Sequence, residues 1–276
     1  MRVGELSPAL VYAIGTGVGA AMGIGSFRVA EILSARSDIT HRGAGSARTR
    51  AVLVVLSVVT GLALAHAMRS SGSGNTLFAA TANLALDVFA CAALFSAAAV
   101  DIEHMILPNE LTLGIAALGL VTSPFRSSIG FLGALIGAVG AAALSIVPAA
   151  IYKKIRGRSG IGFGDTKLIV AAGAWLGATG AVFVLFAGAV QSAFAALVTR
   201  VLGVSYSVPE SVKREIAELR AQAEKGDADA QALLADDPMA FDEAGLATTR
   251  LPMGPFLVLA FVEFLIFRES IVAFLF

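Results

Sequence analysis

Gly162-Phe163-Gly164-Asp165-Thr166-Lys167 sets a carboxylate directly behind two glycines, at the head of an apolar segment. The mirror arrangement stands at Asp101, sixty-four residues earlier. There an acid closes a long apolar run and is followed by Glu103-His104-Met105-Ile106-Leu107-Pro108-Asn109. An acid is costly to hold at a membrane boundary, so acids found there are functional candidates by default. Two of them brought together can share one proton and activate a water. The fold then depends on whether the apolar segments around them cross a bilayer.

Their length and composition say that they do. Of 276 residues, 57% are hydrophobic and only 14% charged, with a mean hydropathy of +0.82. A soluble domain carries about 25% charged residues. A membrane-crossing helix needs roughly 20 apolar residues. Long candidates run 8–33, 51–68, 76–100, 129–152, 179–202 and 254–276, with two shorter ones at 110–123 and 165–178. The expected fold is all-α, a polytopic membrane protein with eight transmembrane helices. The two short spans directly follow the carboxylate boxes. By length either can be a tilted or re-entrant half-span, opening a watery notch beside the acids. The N-terminal run leads into polar Ser26 and Arg28 and reads as a retained first helix rather than a cleaved signal. Repeated small residues such as Gly133, Gly137 and Gly140 suit close helix packing in lipid.

Basic residues choose the orientation, because cytoplasmic loops carry the excess of Lys and Arg. Fourteen fall on one side: Arg36, Arg42, Arg48 and Arg50; Lys153, Lys154, Arg156 and Arg158; and Arg200, Lys213, Arg214, Arg220, Lys225 and Arg250. The other side has Arg2, Arg69, Arg126 and Arg268. The richer side is expected to be cytoplasmic, and both Asp101 and Asp165 fall on it. The charge rule uses no information about the acids, so the agreement is independent support.

Residues 203–250 are the soluble-looking piece, dividing a membrane domain at 1–202 from a last membrane helix at 251–276. Ser207-Val208-Pro209-Glu210 reads as a capping box. Val212, Ile216, Leu219 and Ala223 then form one apolar stripe at helical spacing, and a second short helix is expected over 228–235. Acids outnumber bases here, ten to five. The plain reading is a solvated helical insertion on the membrane face; substrate or partner docking is the other. Zero net charge argues against nucleic acid as a partner. Cys91 is the only cysteine, so one chain builds neither a disulfide nor a cysteine metal site. No metal and no cofactor are expected.

Within the boxes, Pro108 breaks the chain and Asn109 is the expected N-cap of the short span after it. Gly162 and Gly164 permit positive φ and leave no side chain between backbone and substrate. Asp165 stands at a helix start, where the dipole favours a negative charge, and Asp101 at a helix end, where it does not. On that ground Asp165 holds the charge and Asp101 the proton in the resting pair. Lys167, two residues past Asp165, points away from it, toward the headgroups or a substrate. Glu103 and His104 read as surface residues of the turn. Asp87 and Glu263 lie inside spans, as buried hydrogen-bonded acids or as the lining of a polar cavity. His41 and His66 have no Ser or Cys at a recognisable spacing, which disfavours a nucleophilic triad.

In these residues the chain resembles the prepilin leader peptidases, a family of GxGD intramembrane aspartyl proteases. That family carries one Asp six or seven residues before Pro-Asn or Pro-Asp, as in Asp101 to Pro108-Asn109, and a second in Gly-x-Gly-Asp-x-Lys, as in Gly162 to Lys167. Gly25-Ser26-Phe27 resembles its Gly-Ser-Phe near the end of the first helix. Leu251-Pro252-Met253-Gly254-Pro255-Phe256-Leu257 resembles its Pro-x-Gly-Pro-Phe-Leu segment before the last helix. These last two boxes are expected to lie outside the site. The resemblance implies a multi-pass protein of the inner (plasma) membrane with its active site on the cytoplasmic side. It implies an endopeptidase that removes the short basic leader from type IV prepilin or pseudopilin precursors, cutting after a glycine. Asp101 and Asp165 would be catalytic; Gly162, Gly164, Lys167, Pro108 and Asn109 would face the substrate.

Many members also methylate the new N-terminus with S-adenosylmethionine, and carry two Cys-x-x-Cys pairs suited to zinc in a larger domain after the first span. Residues 34–50 hold no cysteine and are too few for a domain with its own core. Methyl transfer and structural zinc are therefore not expected. A rival reading from another class is a small proton- or cation-coupled transporter using Asp87, Asp101, Asp165 and Glu263. It requires polar groups through the whole membrane depth, whereas the boxes cluster at one face.

Overall fold

The computed structural model describes residues 7–36, 47–70, 77–126, 129–156, 162–203, 210–236 and 251–275. Among the described residues the chain is helical, with no strand. The order is α1 (Pro8–Arg36), α2 (Ala47–Ser70), α3 (Leu77–His104), α4 (Asn109–Thr122), α5 (Gly130–Arg156), α6 (Phe163–Val201), α7 (Glu210–Glu224), α8 (Ala228–Asp236) and α9 (Gly254–Leu275). Helices α1, α2, α3, α5 and α6 are each long and apolar enough to cross a membrane. With only 14 residues, α4 is about 21 Å long against a hydrocarbon core of about 30 Å. This is an all-α polytopic membrane protein.

Helix α6 joins the two spans expected at 165–178 and 179–202. It breaks at Gly177, where φ is 82° and ψ −177°. That region of backbone space is essentially reserved for glycine. A break leaves the preceding carbonyls without helical partners. Arg126, just after α4, donates from Nη1 to the carbonyl of Trp175 at 2.9 Å.

Buried packing centres on α6, which contacts α4, α5 and α9, while α3 contacts α1, α2, α4 and α9. Trp175, Leu168, Ile169, Leu94, Leu257, Phe261 and Phe264 are fully buried there. Large apolar side chains on α5 and α6, among them Leu132, Ile146, Phe186 and Val190, remain exposed, as lipid-facing residues would be. Small residues let backbones meet, as helix association in lipid requires. A Cβ on Gly137 would lie 2.2 Å from the carbonyl oxygen of Gly173, and one on Gly61 would lie 2.4 Å from that of Gly15. Of the three glycines singled out in α5, only Gly137 has this role. Gly140 faces open space, and Gly133 meets the Ile129 side chain.

Ser26 is buried and donates to the carbonyl of Ala92 at 2.8 Å, so the Gly25-Ser26-Phe27 box packs α1 on α3. Helices α7 and α8 pack on each other. Ile216 and Ala230 are buried, with Leu219 and Ala223 partly covered, which accounts for the apolar stripe. Asp227 begins α8 by accepting from the amides of Asp229 and Ala230 at 3.0 and 3.3 Å. The capping residues proposed at 207–209, and the side chain of Val212, lie outside the described residues.

Candidate active site

The Asp101 turn is built by an abrupt helix stop. Met105 adopts φ 54°, and its amide donates to the Asp101 carbonyl at 2.8 Å. This single bond with a left-handed residue after the last helical turn is the αL cap. The chain then runs through Ile106 and Leu107 to Pro108, whose φ of −60° and ψ of 132° start α4. Pro108, not Asn109, occupies the N-cap position, and no side chain caps the helix. Its carbonyl accepts instead from the Thr112 amide and hydroxyl at 3.1 and 3.0 Å. The Asn109 side chain is unavailable for capping because its Oδ1 accepts from Lys167 Nζ.

The Asp165 box repeats this construction. Gly162 is the N-cap of α6, and Thr166 bonds back to its carbonyl through amide and hydroxyl at 3.2 and 3.4 Å. Asp165 sits in the first turn of α6, as its position in the sequence suggests. Neither glycine has positive φ: Gly162 has φ −65°, and Gly164 is an ordinary helical residue. What the glycines meet is a tight fit. A Cβ on Gly162 would stand 3.1 Å from Asp165 Oδ2, and one on Gly164 would stand 3.3 Å from the Leu107 Cβ.

The two boxes meet. Asp101 is 5% exposed and Asp165 partly buried, and the carboxylates lie within electrostatic reach of each other. Gly254, the first residue of α9, donates its amide to Asp101 Oδ2 at 3.0 Å. The segment at 251–257, expected outside the site, therefore contributes to it. Nothing charged marked Gly254; the only signal was its place in a box that matched a family pattern. Leu107 is buried between the glycines, with a Cβ on Gly254 placed 3.1 Å from its Cδ2. A packed path thus runs from Asp101 through Gly254, Leu107 and Gly164 to the residue beside it, Asp165.

Other candidates find different places. Lys167 Nζ also lies 5.2 Å from the centre of the Phe163 ring. His104 is buried rather than on the surface, and its Nε2 is 4.0 Å from Oε2 of the partly buried Glu103. Asp87 is a bonded acid: it accepts from Trp175 Nε1 at 3.0 Å and from Arg126 Nη2 at 3.3 Å. The Arg126 guanidinium also stacks 4.4 Å over the Trp175 ring. Glu263 accepts from Gln191 Nε2 at 2.7 Å. Among the described residues no three His, Cys, Asp or Glu side chains gather as metal ligands would.

Fold and site together define a helical membrane protein whose two boxed carboxylates meet where helix ends converge. Residues 88–197 match the model of the type IV leader peptidase family. The match contains both carboxylate boxes and leaves out Gly25-Ser26-Phe27 and the segment at 251–257. A prepilin leader peptidase/N-methyltransferase of Neisseria gonorrhoeae is 34% identical over 108 residues, which are 39% of this chain and 38% of that protein. One from Burkholderia pseudomallei is 38% identical over 87 residues, covering 32% of this chain and 28% of that protein. One from Dichelobacter nodosus is 37% identical over 99 residues, covering 36% of this chain and 34% of that protein. The chain thus spans about a third of the length of these relatives. No solved structure matches.

Proposed function

We propose that the chain is a membrane aspartic endopeptidase that cleaves the leader from type IV prepilin or pseudopilin precursors. The observation that carries this reading is the meeting of Asp101 and Asp165, with the Gly254 amide fixing one carboxylate. In the reaction one carboxylate takes a proton from water while its protonated partner polarises the scissile carbonyl. The pair titrates as a unit, and no covalent intermediate is required. Gly162, Gly164, Pro108, Asn109 and Lys167 belong to the two turns and are the residues assigned to the neighbourhood of the substrate. A precursor whose apolar helix lies in the bilayer would present its leader junction at this depth.

The excess of basic residues in the loops on the Asp101 and Asp165 side supports a cytoplasmic site in the inner membrane, with residues 203–250 a cytoplasmic insertion between the membrane parts. The relatives' names pair leader peptidase with N-methyltransferase. Methyl transfer stays outside the proposal because residues 34–50 lack the cysteine-bearing domain. The transporter reading gains nothing from the site: Asp87 and Glu263 are engaged by Arg126, Trp175 and Gln191.

The test is cell-free cleavage of a pilin-like precursor by the purified chain. Asp101→Asn and Asp165→Asn should each abolish cleavage in a folded, inserted protein. The double variant should be no worse than either single, because the two act as one unit. Substantial activity in either single variant refutes the assignment.

A further inference from the structure

We propose that Lys167 is a positioning residue, whose bond to Asn109 ties the head of α6 to the head of α4 and so sets the spacing of the two carboxylate turns. The inference deepens the peptidase reading and rests on it for its kinetic consequence. Lys167 stands two residues beyond Asp165, and Asn109 directly follows the Pro108 that ends the Asp101 turn. Nζ donates to Asn109 Oδ1, and the Phe163 ring one turn back lies 5.2 Å from the same ammonium. A cation within about 6 Å of an aromatic ring is attracted to it. Lys167 is partly buried while Asn109 is exposed, so the lysine reaches outward from the bundle to grip the rim.

The rest of α4 explains why such a grip matters. The helix is short, and its far part is already held. A Cβ on Gly119 would lie 3.1 Å from the Ala174 carbonyl oxygen, and Arg126 beyond the helix end bonds Trp175. Its near end carries Pro108 and, through Leu107, the packing between Gly164 and Gly254. The Lys167–Asn109 bond secures that end. Displacing reacting groups by about 1 Å can cost about 100-fold in rate. A tie of this kind therefore acts on turnover, whereas a side chain that holds substrate acts on its binding.

The experiment uses the full chain and a pilin-like precursor, with Lys167→Met, Asn109→Leu and the double variant. Each single should lower kcat by about 10- to 100-fold while KM changes by less than about twofold. The double should fall no further than the worse single, as expected for two ends of one bond. Lys167→Arg and Asn109→Asp, which keep a donor and an acceptor, should recover most of the lost rate. A second readout needs no activity: amide hydrogen exchange at 112–115, the first bonded amides of α4, should quicken in Lys167→Met, and at 166–169, those of α6, in Asn109→Leu. Raised KM at unchanged kcat, independent effects in the double, or unaltered exchange at the α4 head would overturn the proposal. A wild-type chain that exchanges as expected but cleaves no precursor would overturn the peptidase reading and leave the tie standing.

Discussion

Adding one methyl group at Gly254 should disable the site without touching either aspartate. A Cβ there would stand 2.6 Å from Asp101 Oδ2. Carbon and oxygen in close non-bonded contact lie at about 3.3 Å or more, so about 0.7 Å must be found. The same methyl would lie 3.1 Å from Leu107 Cδ2, and Leu107 is itself packed against Gly164. The carboxylate, at the end of its side chain, is what gives. Scaled against a loss of about 100-fold per 1 Å of misplacement, Gly254→Ala should lower kcat by about 10- to 100-fold, or about 1.4–2.7 kcal/mol of barrier. KM should hold. The backbone has no objection, because Gly254 begins a helix and is not at positive φ. The substitution keeps the amide donor and buries no new polar group, so the thermal midpoint should stay near wild type even as the carboxylate shifts. Initial rates over a range of precursor concentrations, with a thermal melt of the same preparation, check both halves. A well-folded Gly254→Ala enzyme with wild-type kcat would show that Asp101 is not held where its chemistry needs it.

Gly177→Ala should destabilise the protein by about 1–3 kcal/mol. A Cβ there meets only Ile129 at 3.7 Å, so the cost is the backbone conformation alone, read as a lowered unfolding midpoint. Residues 205–248 should be replaceable by a short flexible linker without loss of the chemical step, since neither carboxylate box lies within them. Loss of all cleavage in an inserted deletion protein would mean that the segment shapes the site. Incubation with precursor and S-adenosylmethionine should give a mature product of unchanged mass; an N-terminus heavier by one methyl group, absent without the protein, would reverse that expectation.

The helices were legible because lipid asks for long apolar runs, and their ends were legible from charge, proline and glycine. The division of α6 near residue 178 could be read because one run was too long for a single crossing. Its cause, the backbone of Gly177, could not, since an apolar stretch does not say which glycine breaks. The two aspartates stood out as charges at the edges of apolar segments. Gly254 did not, because its contribution is an amide, and every residue but proline has one. The positive φ expected of the glycines fails for a related cause. Gly162 and Gly164 invite a reading in terms of φ, but what crowds them is Asp165 and Leu107, one of them distant in sequence. His104 and Asn109 were misplaced in the same way, by neighbours that only the fold supplies.

The bond at Gly254 also changes the electrostatic argument for the pair. Read along the chain, Asp101 belongs to the end of α3, where the helix dipole opposes a negative charge. In the fold it faces the start of α9 as well. The first amides of a helix have no partner within it, and Asp101 Oδ2 accepts one of them from 153 residues away. The carboxylate therefore stands between the carbonyl end of one helix and the amide end of another, while Asp165 stands at the amide end of its own. Two close acids share one proton and one negative charge, and here two helix starts are placed to receive that charge. Besides the Lys167–Asn109 tie, positioning of these helix ends falls to uncharged parts: the αL residue Met105 that stops α3, Leu107 between two glycines, and the Thr112 and Thr166 bonds that close the first turns of α4 and α6. Apart from the Lys167–Asn109 tie, geometry at the pair thus rests on residues that carry no charge, which is why a single methyl group at Gly254 is expected to cost as much as it does.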